Sequence, residues 1–261
     1  VSVGARSFFV DSSCFHGERA ILPPLLARQI RSVLRLRPGD SIELLDGSGA
    51  LYEARLSEVT ADVVAAELLG RREPATEPSV RLDLYQALLK GEKMELVLQK
   101  GTEIGVSRFV PVLSERCISR PAVSELERRL ERWRTIVREA AEQSGRAALP
   151  EVAPLHRFTG ACKEAVSAEL AMMAWEEEHA RWIGGAVRMA NLSADQPRQG
   201  AARPRVALLI GPEGGFSTRE AREAGEAGLK VVSLGPRILR AETAALVAAT
   251  LVLCETGDMG R

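Results

Sequence analysis

The sequence predicts an α/β protein with a mostly parallel sheet, preceded by a small β-rich domain. Three observations predict it. From residue 80 onward, apolar strand-length runs alternate with helical segments, the pattern of a parallel sheet covered on both faces. The first 72 residues carry closely spaced strand and hairpin signals instead. Between them lies RREPATEPS, residues 71–79, whose two prolines remove donors and favour extended backbone. The expected division is therefore a β domain at 1–72, a linker at 73–79 and a larger α/β domain at 80–261. At 261 residues and 46% apolar content, the chain can bury a sizeable core.

The elements of the first domain follow from short patterns. RSFFV (6–10) is a strand. Residues 24–36, PLLARQIRSVLRL, show helical spacing at Leu26, Ile30, Val33 and Leu34. RPGD (37–40) marks a turn. SIELLDGSGALYEARL reads as two strands joined by Asp-Gly-Ser-Gly, a hairpin signal. DVVAAELLG (62–70) is a further strand, although alanine is a weak strand former.

In the second region RLDLYQALL (81–89) is an apolar strand. GEKMELVLQKGTEIG (91–105) is a short helix with Met94, Val97 and Leu98 on its apolar stripe. VSRFVPVLS (106–114) is the next strand. Ser124 with Glu127 forms a capping box for a long helix running to Ser144, with Gly145 as its stop. The stripe of that helix is Leu126, Leu130, Trp133, Val137, Ala140 and Ala141. AMMAWEE (171–177) reads as a buried strand, and the polar segment 191–204 as a flexible loop. RVALLI (205–210) is a strand, and Ser217 with Glu220 caps a helix from Thr218. LKVVSLG (229–235) is another strand, and TAALVAATLVLCE (243–255) a largely apolar final helix.

Composition excludes several classes. No apolar run reaches the roughly 18 residues of a membrane helix. VSVGARSFFVDSS lacks the basic-then-apolar pattern of a secretory signal, so a soluble, cytoplasmic protein without a membrane role is expected. The four cysteines, Cys14, Cys117, Cys162 and Cys254, have no zinc-like spacing and read as buried, reduced thiols. The histidines His16, His156 and His179 form no metal or triad pattern, and no metal site is expected. Lys and Arg match Asp and Glu at 35 each, which gives no global argument for nucleic acid. The distribution does: Arg19, Arg28, Arg31, Arg35 and Arg37 lie in a stretch with no acid between Glu18 and Asp40. Such a local basic face can bind a phosphate backbone, or simply be a solvated face.

In open α/β sheets ligands bind at the carboxyl ends of strands. Two glycine-containing loops belong there, Gly211-Pro-Glu-Gly-Gly215 and Leu234-Gly-Pro-Arg-Ile-Leu-Arg240. A phosphate loop needs a lysine after its last glycine, and a dinucleotide fingerprint needs G-x-G-x-x-G; both are absent. Glu213 would repel a phosphate and Pro212 has no N–H to offer one. Each loop alone can be a plain turn.

Together, GPEGG after one strand and LGPRILRAETA after the next resemble the SPOUT class of RNA methyltransferases. KGEKMELVLQKGTEIGV (90–106), SERC (114–117), EQSGR (142–146) and VLRLRPGDSIELLDGSGALYEA in the first domain resemble the RsmE family, which makes 3-methyluridine in 16S ribosomal RNA. The resemblance implies S-adenosylmethionine (SAM) as cofactor, a deep trefoil knot with the SAM site in 205–257, and a PUA-like β-barrel for RNA at the N-terminus. It also implies a homodimer acting on 16S rRNA or the 30S ribosomal subunit.

It further implies a cofactor slot from Leu209, Ile210, Gly211, Glu213, Gly214 and Gly215, with Leu234, Gly235, Ile238, Leu239, Thr243 and Ala244. The glycines permit close approach and positive φ, and the aliphatic residues can wall adenine. Methylation at uracil N3 requires loss of a proton. Arg237 and Arg240 stay charged, so neither is a base. Either can fix an RNA phosphate, stabilise the uracil anion, or pair with Glu242 or another acid. Glu242 is the candidate base, or a carboxylate favoured at a helix start. Thr243 can also be a plain helix cap. Lys90 and Lys93, with Glu92 and Glu103, fall in a matched block that implies an RNA-facing or dimer surface. Two rival readings are a non-catalytic RNA-binding assembly factor and a ribose 2′-O-methyltransferase.

Overall fold

The computed structural model describes residues 6–192 and 203–260. They form two compact units. The first runs to Glu77 and also takes Ala141–Leu149; the second takes Pro78–Ala140 and the chain from Pro150 onward. Residues 141–149 group with the first unit, and so do 73–77 of the segment between the expected domains.

The first unit is built on a six-stranded sheet in the order β1-β4-β5-β6-β3-β2. These strands are β1 (Arg6–Phe9), β2 (Phe15–His16), β3 (Arg19–Ile21), β4 (Ser41–Leu45), β5 (Leu51–Val59) and β6 (Val64–Arg72). All neighbours are antiparallel except β1 and β4. The Asp-Gly-Ser-Gly turn folds β4 onto β5, setting Leu45 opposite Leu51. Ile42, Leu44, Ala54 and Leu56 alternate inward with Val64 and Ala66 to make the core. The alanines of β6 belong there: Ala65 and Ala66 are fully buried, where larger side chains would overpack.

The helix expected at 24–36 is shorter and wider. α1 spans Pro24–Arg28 and runs into a π-helical turn, Gln29–Leu34, ended by Arg35 in the left-handed region at φ 53°. A widened turn keeps Leu26, Ile30 and Leu34, four apart, on one face. Val33 is rotated out and is 71% exposed, against the predicted stripe.

Residues 141–149 pack Ala141, Ala147 and Leu149 against Phe9, Leu45 and Leu51. Arg146 is buried there and meets Glu77 Oε2 at 2.6 Å. Glu77 Oε1 also accepts the N–H groups of Ala147 and Ala148, each at 3.2 Å. A residue that reads as linker is therefore an anchor.

The second unit holds a parallel sheet in the order β10-β8-β7-β12-β11-β13, with β9 also on β8. Its strands are β7 (Arg81–Ala87), β8 (Arg108–Leu113), β9 (Glu151–Val152), β10 (His156–Arg157), β11 (Leu170–Ala174), β12 (Arg205–Ile210) and β13 (Lys230–Val232). Its helices are α2 (Lys93–Ile104), α3 (Val123–Ser144), α4 (Phe158–Ala165), α5 (Ile183–Ala190), α6 (Thr218–Ala227) and α7 (Ala241–Glu255). β12 lies between β7 and β11, and all its residues but Arg205 are buried, as a central strand with both faces covered requires. α4 and α6 close one face through Phe158, Cys162, Ala221 and Ala224. On the other face α7 packs on β12 and β7, and α2 and α5 pack on α7.

Two local expectations change. Leu126 N–H bonds Ala122 O, so Ser124 lies inside the first turn of α3 rather than capping it. β11 ends at Ala174, and 175–179 turn away from the sheet. The Ser217–Glu220 capping box forms as predicted. Of the polar segment 191–204, residues 193–202 lie outside the described residues. Three cysteines are buried as expected, but Cys254 is exposed on α7. Among the described residues no helix is long and apolar enough to cross a membrane.

Glu77→Ala should destabilise the protein by about 3 kcal/mol, because it removes a carboxylate from a buried guanidinium. Glu77→Gln, which keeps an acceptor for two N–H groups, should lose less. Urea denaturation midpoints measure both, and a cost under about 0.5 kcal/mol for Glu77→Ala would refute the anchor.

Candidate functional site

Three loops leave the carboxyl edge of the second sheet as neighbours, because β11 lies between β12 and β13. Together they wall a cavity of about 710 Å³. Ile210–Gly215 form one side and Ser233–Ala241 the other, with Ala174–Glu177 and His179 also in the wall. Lys93 of α2 and Ala244 of α7 complete it.

The GPEGG loop is a tight turn in which Gly215 N–H bonds Pro212 O at 3.0 Å. Gln86 of β7 donates to Gly211 O at 3.3 Å. Gly215 adopts φ 67°, a left-handed conformation that favours glycine, and a Cβ there would push aside the Glu176 carboxylate. Gly235 also has positive φ, at 112°, and faces open space. Gly211 and Gly214 do not need positive φ. A Cβ on Gly214 would meet Arg116, which is outside the cavity wall.

A charged cluster closes one end. Glu213 Oε1 accepts Lys90 N–H at 3.0 Å and lies 3.3 Å from Lys93 Nζ. Lys93 Nζ is also 3.6 Å from Glu242 Oε2. The second oxygen of Glu213, and Glu242 Oε2, are buried without a hydrogen-bond partner among the described residues. Burial pushes the Glu213 carboxyl up. The Lys90 N–H, its own N–H and the Lys93 ammonium outweigh that and hold it below its ordinary value.

The residues expected from the sequence fall as follows. All the proposed cofactor residues line the cavity except Leu209 and Thr243. Leu209 points into the core beside Tyr85, and Thr243 is exposed in the first turn of α7. The N-cap of that helix is Arg240, with no side-chain cap bond, so Thr243 does not cap it. Arg237 and Arg240 line the cavity, are exposed, and make no ion pair among the described residues. Glu242 is not in the wall; it sits against Lys93.

The basic stretch of the first unit is not uniformly available. Arg19 pairs with Glu58 at 2.9 Å, and Arg31 donates to the carbonyls of Thr60 and Ala61. Arg28, Arg35 and Arg37 are exposed without ion pairs among the described residues. Lys90 is exposed in the second unit.

Sequence reasoning missed Trp175, Glu176, Glu177 and His179. The Trp175 indole donates to Phe216 O at 3.2 Å, tying this wall to the GPEGG loop. The signal was present in the polar run Glu176-Glu177-Glu178-His179, which cannot continue a buried strand. Among the described residues no His, Cys, Asp and Glu cluster suits a metal.

Residues 76–253 match the family model of an RNA methyltransferase domain, and residues 30–69 that of an RNA methyltransferase PUA domain. A ribosomal RNA small subunit methyltransferase E from Synechocystis is 36% identical over 220 residues, 84% of this chain and 67% of that one. The crystal structure of a ribosomal RNA small subunit methyltransferase E from Neisseria gonorrhoeae, bound to S-adenosyl methionine, superposes with TM-score 0.77 at 32% identity, covering 94% of this chain and 95% of that chain. A Legionella pneumophila structure in complex with the bound cofactor SAM gives TM-score 0.83 at 29% identity, covering 97% and 98%.

The lowered pKa of Glu213 makes a pH prediction. Its charge contributes stability fully above its ordinary value of 4.5, and the contribution is lost as pH falls through the lowered folded-state value. The melting-temperature gap between wild type and Glu213→Gln should be full above pH 4.5 and close on acidification below it, as pH falls through the lowered folded-state value. A gap that stays constant would show that the charge of Glu213 does not hold the loop.

Proposed function

The chain belongs to the ribosomal RNA small subunit methyltransferase E family, and from that premise we propose that it transfers the methyl group of SAM to uracil N3 in 16S ribosomal RNA. The observation that carries the reading is the cavity shared by the GPEGG and LGPRILRAET loops. Its residues fit the group. The Gly215 and Gly235 backbone permits close approach, and Ile210, Leu234 and Leu239 offer an apolar wall for a planar ring. The buried Glu213 Oε2, with no hydrogen-bond partner among the described residues, suits a cationic ligand better than a triphosphate. When bound, SAM supplies an electrophilic methyl group on a sulfonium.

The chain then has to place the base and handle the N3 proton. N3 lies on the Watson–Crick edge, so the target uracil must be unpaired or extruded. Transfer depends mainly on alignment. Arg237 and Arg240 stand in the wall without ion pairs, which favours their holding an RNA phosphate or the uracil anion. Glu242 lies against Lys93 outside the wall, so direct proton removal by Glu242 is less favoured than stabilisation of the anion by the cations.

Of the 19–37 basic stretch of the PUA-like first domain, Arg28, Arg35 and Arg37, exposed without ion pairs among the described residues, are available for phosphate contacts. We propose that residues 1–72 are the RNA-binding domain and that 80–261, apart from the 141–149 segment that groups with the first unit, are the methyltransferase domain, with 73–79 joining them. From Ala244 to Cys254 α7 is apolar but for Thr250, with Leu246, Val247 and Leu251 half-buried, which supports a homodimer packed on that helix. A cytoplasmic location fits a ribosomal substrate.

Calorimetry with S-adenosylhomocysteine and nucleoside mass spectrometry after incubation with SAM and small-subunit RNA test the reading. Binding and 3-methyluridine are expected. A ribose-methylated product would replace base methylation with 2′-O transfer. A folded protein that binds no S-adenosylhomocysteine would instead be a non-catalytic assembly factor. Arg240→Ala should lower kcat about 10²-fold while cofactor affinity holds. Loss of cofactor affinity alone would remove Arg240 from the chemistry.

A further inference from the structure

The GPEGG loop is held from behind. SERC, residues 114–117, lies on the connection between β8 and α3 and has no role in the site described so far. It forms a compact turn. Cys117 N–H bonds Ser114 O at 3.3 Å, and Arg120 donates to Glu115 O at 2.9 Å and Cys117 O at 3.2 Å.

From this turn several contacts reach the loop between β12 and α6. Glu115 N–H donates to Glu220 Oε1 at 2.8 Å, and Ser217 Oγ donates to Glu115 Oε2 at 2.8 Å. Arg116 Nη1 donates to Gly214 O at 3.0 Å and to Phe216 O at 3.4 Å. Phe216 O also accepts the Trp175 indole N–H, and Trp175 is in the cavity wall. Arg116 itself is not.

The Gly214–Gly215 backbone is the least constrained stretch of the wall, because glycine gives up the most conformational freedom when ordered. Holding Gly214 O and Phe216 O fixes the Gly214–Gly215 and Phe216–Ser217 peptide planes, which bracket the Gly215–Phe216 plane between them. Both bonds leave one nitrogen, Nη1, of a guanidinium that is planar and always charged. We infer that Arg116 is a positioning residue of the cofactor site: it holds the Gly214–Phe216 backbone, and through Phe216 O the Trp175 indole, in the conformation that receives the cofactor. The inference rests on the proposed SAM-binding reading of the cavity.

The test is calorimetry of S-adenosylhomocysteine on the full-length wild type, Arg116→Ala and Arg116→Lys, with ligand-free melting curves and separate KM values for SAM and RNA. Arg116→Ala should bind S-adenosylhomocysteine about 10-fold more weakly, for loss of charge-assisted bonds to two carbonyls. Its ligand-free melting temperature should match wild type, since the side chain is exposed. Its KM for SAM should rise while KM for RNA holds. Arg116→Lys, with a tetrahedral ammonium on a shorter side chain in place of the planar guanidinium, should melt as wild type and recover only part of the affinity.

Unchanged S-adenosylhomocysteine affinity in Arg116→Ala overturns the inference, and a rise in RNA KM alone would make Arg116 an RNA contact. If Arg116→Ala also melts early, Arg116→Lys decides. Weakened binding at a wild-type melting temperature upholds positioning, and wild-type affinity overturns it. A wild type that binds no S-adenosylhomocysteine defeats the cofactor reading itself. Binding by wild type with equal binding by both variants defeats only this inference.

Discussion

One ammonium between two carboxylates organises the cavity. Lys93 Nζ stands 3.3 Å from Glu213 and 3.6 Å from Glu242, joining the start of α2, the GPEGG loop and the first turn of α7. Without a shared cation, two partly buried carboxylates at one place would repel each other and raise the cost of the fold. Helix polarity does not explain where Lys93 sits, because a cation at a helix N-terminus is disfavoured. The carboxylates explain it. Glu242, by contrast, gains from its place in the first turn of α7. The Lys90 N–H on Glu213 makes the α2 end of the cluster rigid at the backbone as well as the side chain.

The alternation of strands and helices was legible because each parallel strand is buried on both faces and reads as a continuous apolar run. RVALLI became β12 at its predicted bounds. Strand order was not legible. The pattern says that β12 and β13 follow one another, but β11 pairs with both and separates them. The two glycine loops therefore flank a third, and Trp175, Glu176, Glu177 and His179 enter the wall from it. Gly215 shows the same limit on a smaller scale. Its sequence position marks a tight turn, and its φ of 67° favours glycine, but the neighbour its bare Cα faces, the Glu176 carboxylate, is a contact made only by the fold.

Charge was harder to read than apolarity. Arg19 to Arg37 is a basic stretch in sequence, but Glu58 and the carbonyls of Thr60 and Ala61 engage two of its members. Those partners come from β5 and the turn after it, 29 to 39 residues away in the chain. Glu77 went the other way. Flanked by prolines it reads as a linker residue, and its partner Arg146 lies 69 residues away. Long-range pairs of this kind leave no local periodicity, whereas a helix stripe or a capping box such as Ser217–Glu220 is complete within one or two turns.

The capping box also answers what a glycine-rich strand-to-helix loop does here. Helix N-termini bind phosphate where their N–H groups are free to point at it. In α6 that role is taken internally. Glu220 N–H bonds Ser217 Oγ at 3.2 Å, and Ser217 N–H bonds Glu220 Oε2 at 3.0 Å. Glu220 is buried, and its other oxygen accepts Glu115 N–H. A carboxylate thus already occupies the positive end of the helix. Pro212 brings no N–H and Glu213 adds a second negative charge, so the loop repels the anion that its glycines seem to invite. In the cavity wall, Arg237 and Arg240 on the other loop have no carboxylate partner among the described residues. The cavity therefore separates its two tasks: the GPEGG side offers backbone and carboxylate to a neutral or cationic ligand, and the LGPRILRAET side offers the positive charge that a nucleic-acid phosphate or an anionic base requires.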